Sequence, residues 1–363
     1  MLKRILAAAL LLVALFACRC LAEKQILEAH FLDVGQGDAA IIQCGGQTLM
    51  IDGGDKDHSK FVYEYLKDLG ITRIDYMIST HPHDDHVYGL ATALQACDVG
   101  TVYSPVTGFD GKGFESFQNK LQEKGAEITV PHRGDTLSLG GAVVTFLSEP
   151  QNWWSLNDMS IVVKVEFGEC AFLFTGDAGL NAEQDLLSSG MDLRANVLKV
   201  GHHGGLDATS KAFVEAVNPQ YAIISVGENN KFGHPAEDTL RQLQRSMVNV
   251  FRTDIHGTIL CFSDGKNLGF VMTQFKPTAA PATPLPTPDG TDTPAPADTP
   301  AAAGNPAPGA EKEVMYIGNR NSHVFHDMSC PSIQDMKTKN KVELYSREEA
   351  IDLGFKPCGR CRP

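Results

Sequence analysis

Short apolar runs alternate with glycine-rich turns and amphipathic stretches over the first 275 residues of the chain. Apolar runs of about four to eight residues bounded by turn residues predict β-strands. They occur at 27–34, 39–43, 48–51, 75–79, 143–147, 160–167, 171–175, 197–200, 222–226 and 257–262. Helical apolar spacing occurs at 58–69, 113–124, 183–189, 210–217 and 237–246. Strands interspersed with helices predict a layered α/β fold with sheets inside and helices outside.

The pattern changes after residue 275. Pro, Ala, Thr and Asp dominate 276–312, and large apolar residues almost disappear. Such a segment cannot bury a core, so we predict an extended linker. It separates a large domain, 27–275, from a small one, 313–363.

The N-terminus predicts export. Two basic residues precede the apolar run 5–17, which is too short to span a bilayer as a helix, so we predict a signal peptide over 1–22. Leu15–Cys18 resembles a bacterial lipobox, which implies lipidation of Cys18 and a membrane anchor. Cleavage near Ala22 and an uncleaved anchor are the alternatives. All three place the remaining chain outside the cytoplasm, extracellular or at the cell surface.

Composition adds an acidic balance and nine cysteines. The formal net charge of −13 excludes a protein that coats nucleic acid through a broad basic surface. An enzyme that brings metal cations to a phosphate remains compatible with this charge. Five cysteines lie scattered among apolar runs, and we predict that they are small buried hydrophobes and not a disulfide framework. They are Cys20, Cys44, Cys97, Cys170 and Cys261.

A cluster of metal-ligand side chains follows the predicted strand 75–79. Residues 81–86 read His-Pro-His-Asp-Asp-His. Imidazole and carboxylate suit zinc, manganese or iron, and two such ions about 3.5–4 Å apart favour hydrolysis. We predict that His81 and His83 share one ion and that Asp85 and His86 reach a second. The alternative is a solvated polar loop.

The His-x-His-x-Asp-His pattern resembles the defining motif of the metallo-β-lactamase superfamily, and the resemblance extends over most of 27–275. It implies an αββα sandwich, a hydrolase activity and two divalent ions, zinc or manganese, with no nucleotide cofactor. Asp52, in Ile-Asp-Gly-Gly, matches the carboxylate that supports the metal loop by hydrogen bonds. Asp177, in Thr-Gly-Asp, matches the carboxylate that bridges both ions.

Later histidines extend the implied site. The string Lys-Val-Gly-His-His-Gly-Gly supplies His202 and His203. We predict His202 as the ligand and His203 as a supporting or substrate-facing residue, although spacing alone does not separate them. His234 lies in a loop rich in Gly and Asn and is predicted to approach the site. Catalytic roles are predicted for Asp85, Asp177, His203 and His234 as ion holders, proton acceptors or stabilisers of developing charge.

One position departs from the superfamily pattern. The usual histidine about twenty residues before the bridging aspartate is missing, and residues 156–160 read Leu-Asn-Asp-Met-Ser. We predict that Asp158 or Asn157 replaces it as a ligand. Oxygen ligands shift the preference of the first site from zinc toward manganese.

Several strings resemble the extracytoplasmic hydrolase domain of the ComEC family of bacterial DNA-uptake proteins. They include Phe31–Ile42, the double-histidine string and the loop that carries His234. The resemblance implies a nuclease or phosphodiesterase with nucleic acid as its substrate. Two other hypotheses remain: a phosphoesterase acting on phosphorylcholine or teichoic-acid groups of the cell envelope, and a non-catalytic, surface-anchored DNA-binding protein.

The C-terminal module contains two ligand pairs. His326 and Cys330, followed by Cys358 and Cys361, have the spacing of a closed structural zinc site. A segment of this length buries little core, so a metal would stabilise it. The module resembles the metal-binding domain of the Ada DNA-repair family, with His326 in place of the methyl-accepting cysteine. The alternatives are His323 as the first ligand and a Cys358–Cys361 disulfide.

Overall fold

The computed structural model describes 25–151 and 154–273 of the large domain. In the small domain it describes 316–319, 324–327, 330–333, 336, 341–344, 356–358 and 361. The predicted signal peptide, Cys18, Cys20, the linker and His323 lie outside these residues. The chain forms two units, Met1–Thr283 and Pro284–Pro363, whose boundary falls inside the predicted linker. No helix in the described part is long and apolar enough to cross a membrane.

The large domain contains fifteen described strands and seven helices. The strands are β1 Leu27–Phe31, β2 Ala39–Cys44, β3 Gln47–Gly53, β4 Arg73–Ile78, β5 Asp98–Tyr103, β6 Ile128–Thr129, β7 Thr136–Leu139, β8 Ala142–Phe146, β9 Val163–Phe167, β10 Cys170–Phe174, β11 Val197–Lys199, β12 Tyr221–Ile224, β13 Asn249–Arg252, β14 Ile259–Ser263 and β15 Leu268–Met272. The helices are α1 Ser59–Asp68, α2 Asp84–Ala96, α3 Lys112–Lys124, α4 Leu180–Ser188, α5 Lys211–Val217, α6 Glu237–Arg245 and α7 Thr253–His256.

These strands form two mixed sheets. The first has the order β15-β14-β1-β2-β3-β4-β5-β6, and the second has the order β13-β12-β11-β10-β9-β8-β7. In each sheet an antiparallel part passes into a run of parallel pairs, β3 to β6 in the first and β10 to β13 in the second. The carboxyl ends of parallel strands open onto one edge, which is where α/β sheets place ligand-binding loops.

Three apolar clusters make the domain a four-layer sandwich. The central cluster fills the space between the sheets, where the rings of Phe31 and Phe174 stack at 5.5 Å. A second cluster joins the first sheet to α1, α2 and α3, and a third joins the second sheet to α4, α5 and α6. The predicted αββα sandwich is therefore confirmed. Of the cysteines predicted to be buried hydrophobes, the four that are described are buried: Cys44, Cys97, Cys170 and Cys261.

Helix α2 begins inside the segment that the sequence predicted to be a metal-binding loop. Asp84 and Asp85 occupy its first turn, where carboxylates interact favourably with the helix dipole. Further along α2, a Cβ atom at Gly89 would lie 1.8 Å from the carbonyl oxygen of Gly53 in β3. Only glycine permits this approach, which sets the first turn of α2 beside the end of β3.

The small domain contains a four-stranded sheet. Its strands are β16 Tyr316–Asn319, β17 Val324–Asp327, β18 Lys341–Leu344 and β19 Lys356–Pro357, in the order β18-β16-β17-β19. Phe325 is fully buried, and its ring meets Tyr316 edge to face at 5.5 Å. The parallel pairing of β17 with β19 brings the two predicted zinc-ligand pairs together, because His326 lies in β17 with Cys330 after it, and Cys358 and Cys361 follow β19.

Candidate metal centre

Loops and helix starts at the strand ends bring the predicted ligands to one place. Asp52 is near the end of β3, His81 and His83 follow β4, and Asp85 and His86 begin α2. From the second sheet, Asp177 follows β10, and His202 and His203 follow β11. The two halves of the sandwich thus contribute ligands from opposite sides of one cleft.

Asp177 lies at the middle of the cluster. Its Oδ2 atom is 3.8 Å from His81 Nε2, 3.4 Å from His86 Nε2 and 3.9 Å from His202 Nε2. Its Oδ1 atom is 3.6 Å from His203 Nε2. A buried carboxylate in contact with four imidazoles has the position required of a bridging ligand.

One side of Asp177 carries the set Asp85, His86 and His203. Candidate ligand atoms of these three residues lie within 4.8 Å of one another. His203 is buried, and its Nε2 atom is 3.6 Å from Asp85 Oδ2 as well as from Asp177. The geometry therefore gives His203 a ligand position, in contrast to the supporting or substrate-facing role predicted from the sequence.

The other side carries His81, His83 and His202. His81 Nε2 and His83 Nδ1 are 3.0 Å apart, a separation that lets both lone pairs reach one cation. His202 Nδ1 donates to Asp207 Oδ1 at 2.7 Å, which leaves Nε2 directed to the site. The position predicted for His202 is therefore compatible with a ligand to the first ion.

The backbone lets two consecutive histidines face the same centre. His202 and His203 both have left-handed conformations, with φ angles of 45° and 53°. Such conformations are uncommon for residues other than glycine and cluster at functional sites. The two ring centroids are 6.0 Å apart, so one ring serves each side of Asp177.

Asp52 orients ligands without entering the centre. Its Oδ2 atom accepts hydrogen bonds from His86 Nδ1 at 2.9 Å and from Thr80 Oγ1 at 2.7 Å. Thr80 Oγ1 also lies 3.1 Å from His81 Nδ1. The carboxylate thereby fixes His86 directly and His81 through Thr80, as expected of a residue supporting metal ligands.

A second buried support was not recognised from the sequence. Asp38 Oδ2 pairs with Lys199 Nζ at 2.8 Å, and Asp38 Oδ1 lies 3.3 Å from His203 Nδ1. His203 Nδ1 also donates to the carbonyl oxygen of Ser225 at 3.0 Å. Asp38 ends the string Val-Gly-Gln-Gly-Asp directly before the apolar strand β2, and an acidic residue at such a place could have been noticed. The sequence alone does not show that Lys199 and His203 are its partners.

Asn157, and not Asp158, faces the centre. The Asp158 carboxylate accepts hydrogen bonds from Ser155, Asn181 and the backbone of Ala182, so it is used at the start of α4. This corrects the prediction that Asp158 is a metal ligand. Asn157 Nδ2 donates to His202 Nε2 at 3.2 Å, and its buried Oδ1 has no hydrogen-bond partner among the described residues. The alternative prediction, ligation by Asn157, agrees with this placement.

Burial and the surrounding carboxylates shift the pKa values of the clustered histidines in opposite directions. Burial alone lowers the pKa of His203, but the carboxylates of Asp177, Asp38 and Asp85 outweigh burial and raise it to about 10. The pKa of His86 is raised well above its usual value because Asp177, Asp52 and Asp85 outweigh burial. Burial, reinforced by His86, holds the pKa of His81 well below its usual value.

These side chains fit divalent metal ions. The atoms His86 Nε2, His203 Nε2 and Asp177 Oδ1 are buried and have no hydrogen-bond partner in the described part of the chain. Unpaired buried polar atoms are costly unless a ligand satisfies them. Imidazole nitrogens and carboxylate oxygens converging on one point supply what zinc or manganese requires.

A cavity of about 440 Å³ opens beside the cluster. His234 lines it, and the His234 ring centroid is 5.2 Å from that of His202. Burial and the neighbouring His202 and His203 lower the pKa of His234, so it is neutral at neutral pH. The predicted approach of His234 to the site agrees with this position.

The small domain contains a separate cluster. Candidate ligand atoms of His326, Cys330, Cys358 and Cys361 lie within 4.8 Å of one another, and Cys358 and Cys361 are not joined by a disulfide. His326 Nδ1 is 3.4 Å from Cys330 Sγ. One imidazole and three thiols suit a closed structural zinc site.

Comparison with known proteins identifies the family. Residues 32–228 match the sequence model of the metallo-beta-lactamase superfamily, more than half of the chain. The chain belongs to this superfamily. Its fold therefore implies divalent metal ions at the histidine and aspartate cluster, as the geometry indicates.

Within the superfamily, the chain has homology to ComEC-type proteins. It is 32% identical over 270 residues to ComE operon protein 3 of Bacillus subtilis, which covers 68% of this chain and 34% of the relative. It is 29% identical over 266 residues to Recombination protein 2 of Haemophilus influenzae, covering 70% and 31%. The chain thus spans about a third of the length of these relatives. Among solved structures, the metallo-beta-lactamase fold protein YhfI of Bacillus subtilis has a TM-score of 0.46 at 14% identity, covering 66% of this chain and 100% of that one.

Proposed function

We propose that this metal-dependent hydrolase is a phosphodiesterase that acts as an extracytoplasmic nuclease on DNA. The observation that carries the proposal is the contact of Asp177 with imidazoles from both halves of the cleft, a position from which its carboxylate could bridge two ions. Homology to a relative named for recombination supports DNA as the substrate.

Different residues of the site would have different roles in phosphodiester hydrolysis. Bound divalent ions would supply Lewis acidity to a phosphodiester and to the attacking water. Asp85, whose side chain is 36% exposed at the cavity, holds its carboxylate where it can accept a proton from the water. His234 is neutral and lines the same cavity, so its N–H can donate to the phosphoryl group.

The cellular location belongs to the same proposal. The apolar N-terminal segment and the lipobox-like Cys18 support export and anchoring at the bacterial surface. An anchored enzyme would meet DNA or envelope phosphodiesters outside the membrane. The His/Cys cluster of the small domain supports a zinc-stabilised module there.

One experiment separates the candidate substrates. Metal-loaded protein is incubated with single-stranded DNA, double-stranded DNA, bis(p-nitrophenyl) phosphate and a β-lactam. We expect cleavage of DNA and of the small diester, and loss of both in Asp85→Ala. The matched control is Asp98→Ala, which removes an exposed carboxylate that pairs with Lys124 and does not line the cavity.

Two outcomes would contradict the proposal. Turnover of the small diester with no cleavage of either DNA would favour an envelope phosphodiesterase. Equal turnover by Asp85→Ala and the unaltered protein would exclude the proposed role of this carboxylate.

A further inference from the structure

We propose that Phe232 forms a nucleobase-binding subsite at the mouth of the metal cleft, and that the occupant is a base of a single-stranded nucleic acid. This inference rests on the proposed phosphodiesterase function and specifies the part of the substrate held beside the scissile phosphate. Phe232 lies in the segment Gly227–Pro235, which also supplies His234 to the cavity.

Phe232 is an exposed aromatic residue directly beside the cluster. Its side chain is 58% exposed, although phenylalanine normally contributes to the core. Phe232 and Phe109 both line the cavity that contains His203 and Asp177. Phe109 comes from the loop after β5 in the first sheet and Phe232 from the loop after β12 in the second, so each half of the sandwich supplies one ring.

The Phe232 loop is held in place by one side chain. Asn230 Nδ2 donates to the carbonyl oxygens of Gly227 and His234, and Asn230 Oδ1 accepts from the backbone N–H groups of Phe232 and His234. These four bonds fix the backbone from which the exposed ring projects. A preorganised ring binds a planar partner at a lower entropic cost than a mobile one.

A series of neighbouring rings connects Phe232 with the candidate metal ligands. The ring centroids of Phe232 and His234 are 5.9 Å apart with planes inclined by 30°, and those of His234 and His202 are 5.2 Å apart. His202 Nε2 is 3.9 Å from Asp177. A base stacked on Phe232 would therefore have its sugar-phosphate backbone near the carboxylates that hold the ions.

The charge beside the ring selects among possible occupants. Lys231 Nζ lies 5.2 Å from the centroid of the Phe232 ring. This ammonium group repels a second cation, which disfavours a choline head group on the same ring. It attracts a phosphate group, and an aromatic surface combined with a cation is typical of proteins that bind single strands.

The test compares oligonucleotides with and without bases. We measure kcat and KM for a single-stranded oligonucleotide and for the same strand made of abasic sites. The binding free energy of one base stacked on an aromatic side chain corresponds to about a tenfold preference for the base-bearing strand. We expect this preference, expressed in KM, to approach one in Phe232→Leu and to be restored in Phe232→Trp. The matched control is Val271→Ala, which alters an exposed apolar side chain on β15.

The outcomes distinguish this subsite from the proposed function. If Phe232→Leu retains the preference, or if the unaltered protein shows none while cleaving DNA, the subsite is overturned and the phosphodiesterase proposal stands. If the unaltered protein hydrolyses neither DNA nor methyl p-nitrophenyl phosphate, which carries no base, the proposed function fails and the subsite fails with it.

Discussion

At the scale of single residues, three histidines of the centre are held through the ring nitrogen that faces away from it. His86 donates to Asp52, His202 to Asp207, and His203 to the carbonyl of Ser225 beside Asp38. Each contact fixes the tautomer that leaves the opposite nitrogen available to a cation. Removal of such supports typically weakens metal binding about 10–100-fold, although no ligand is lost.

Metal affinity should rise with pH. In the metal-free protein the pKa of His203 is about 10, so this ring is protonated at neutral pH and must lose its proton to bind an ion. Protons compete more strongly as the pH falls, and we expect the affinity to increase up to about tenfold per pH unit for each displaced proton between about pH 6 and 9. Competition with a chromophoric chelator measures the metal affinity at each pH in this range. A flat profile, or the same slope in His203→Gln, would contradict the assignment.

Residues of the centre could be recognised from the sequence where several ligand-type side chains lie close together in the chain. The spacing of His81 to His86 limits the possible chemistry, because several ligand types occur within six positions. Asp38 and Lys199 were missed because their pairing joins two sheets and is visible only in three dimensions. The choice between Asn157 and Asp158 also required the structure, since adjacent side chains point in different directions.

At the scale of elements, the centre depends on how closely α2 approaches β3. The contact of Gly89 with Gly53 sets the helix start, and the backbone oxygen of Asp85 accepts a hydrogen bond from Asp38 N at 3.3 Å. These contacts position the carboxylate of Asp85 and the ring of His86 together. Asp85 and His86 are therefore positioned as part of the helix that begins at Asp84.

Gly89→Ala should disturb both stability and metal binding. The added Cβ would overlap the Gly53 carbonyl, and α2 must move outward with Asp85 and His86. We expect a loss of about 1–3 kcal/mol in the free energy of unfolding, measured with urea, together with reduced metal content. Gly108→Ala is the control, because a Cβ there has its nearest heavy atom at 3.7 Å. A Gly89→Ala variant that keeps its stability and its metals would show that this contact is dispensable.

Helices with a regular amphipathic pattern were predictable, but helix α2, whose first residues are polar, was not. The predicted helix 113–124 corresponds to α3, Lys112–Lys124, because its apolar residues have clear helical spacing. Helix α2 was missed because its start reads as a polar loop with Pro82. Its helical conformation depends on packing against β3, which the local sequence does not reveal.

At the scale of the whole molecule, the sandwich and the small domain each contain a candidate metal-binding cluster. Each sheet with its helices provides part of the hydrolytic cluster, so that cluster exists only when both sheets are packed. The cluster of the small domain uses thiols and one imidazole, and it contains no carboxylate among its described candidate ligands. The chain should therefore bind three ions: two in the hydrolase centre and one in the small domain.

Counting metal ions per chain by native mass spectrometry tests this account most directly. We predict three ions in the unaltered protein and two in Cys358→Ser/Cys361→Ser. Asp177→Ala should retain only the ion of the small domain, because its carboxylate contacts imidazoles on both sides of the centre. Asp158→Asn, which alters an acid used at the start of α4, should retain three. Three tightly bound ions in Asp177→Ala, or no more than one ion in the unaltered protein, would contradict the dinuclear centre.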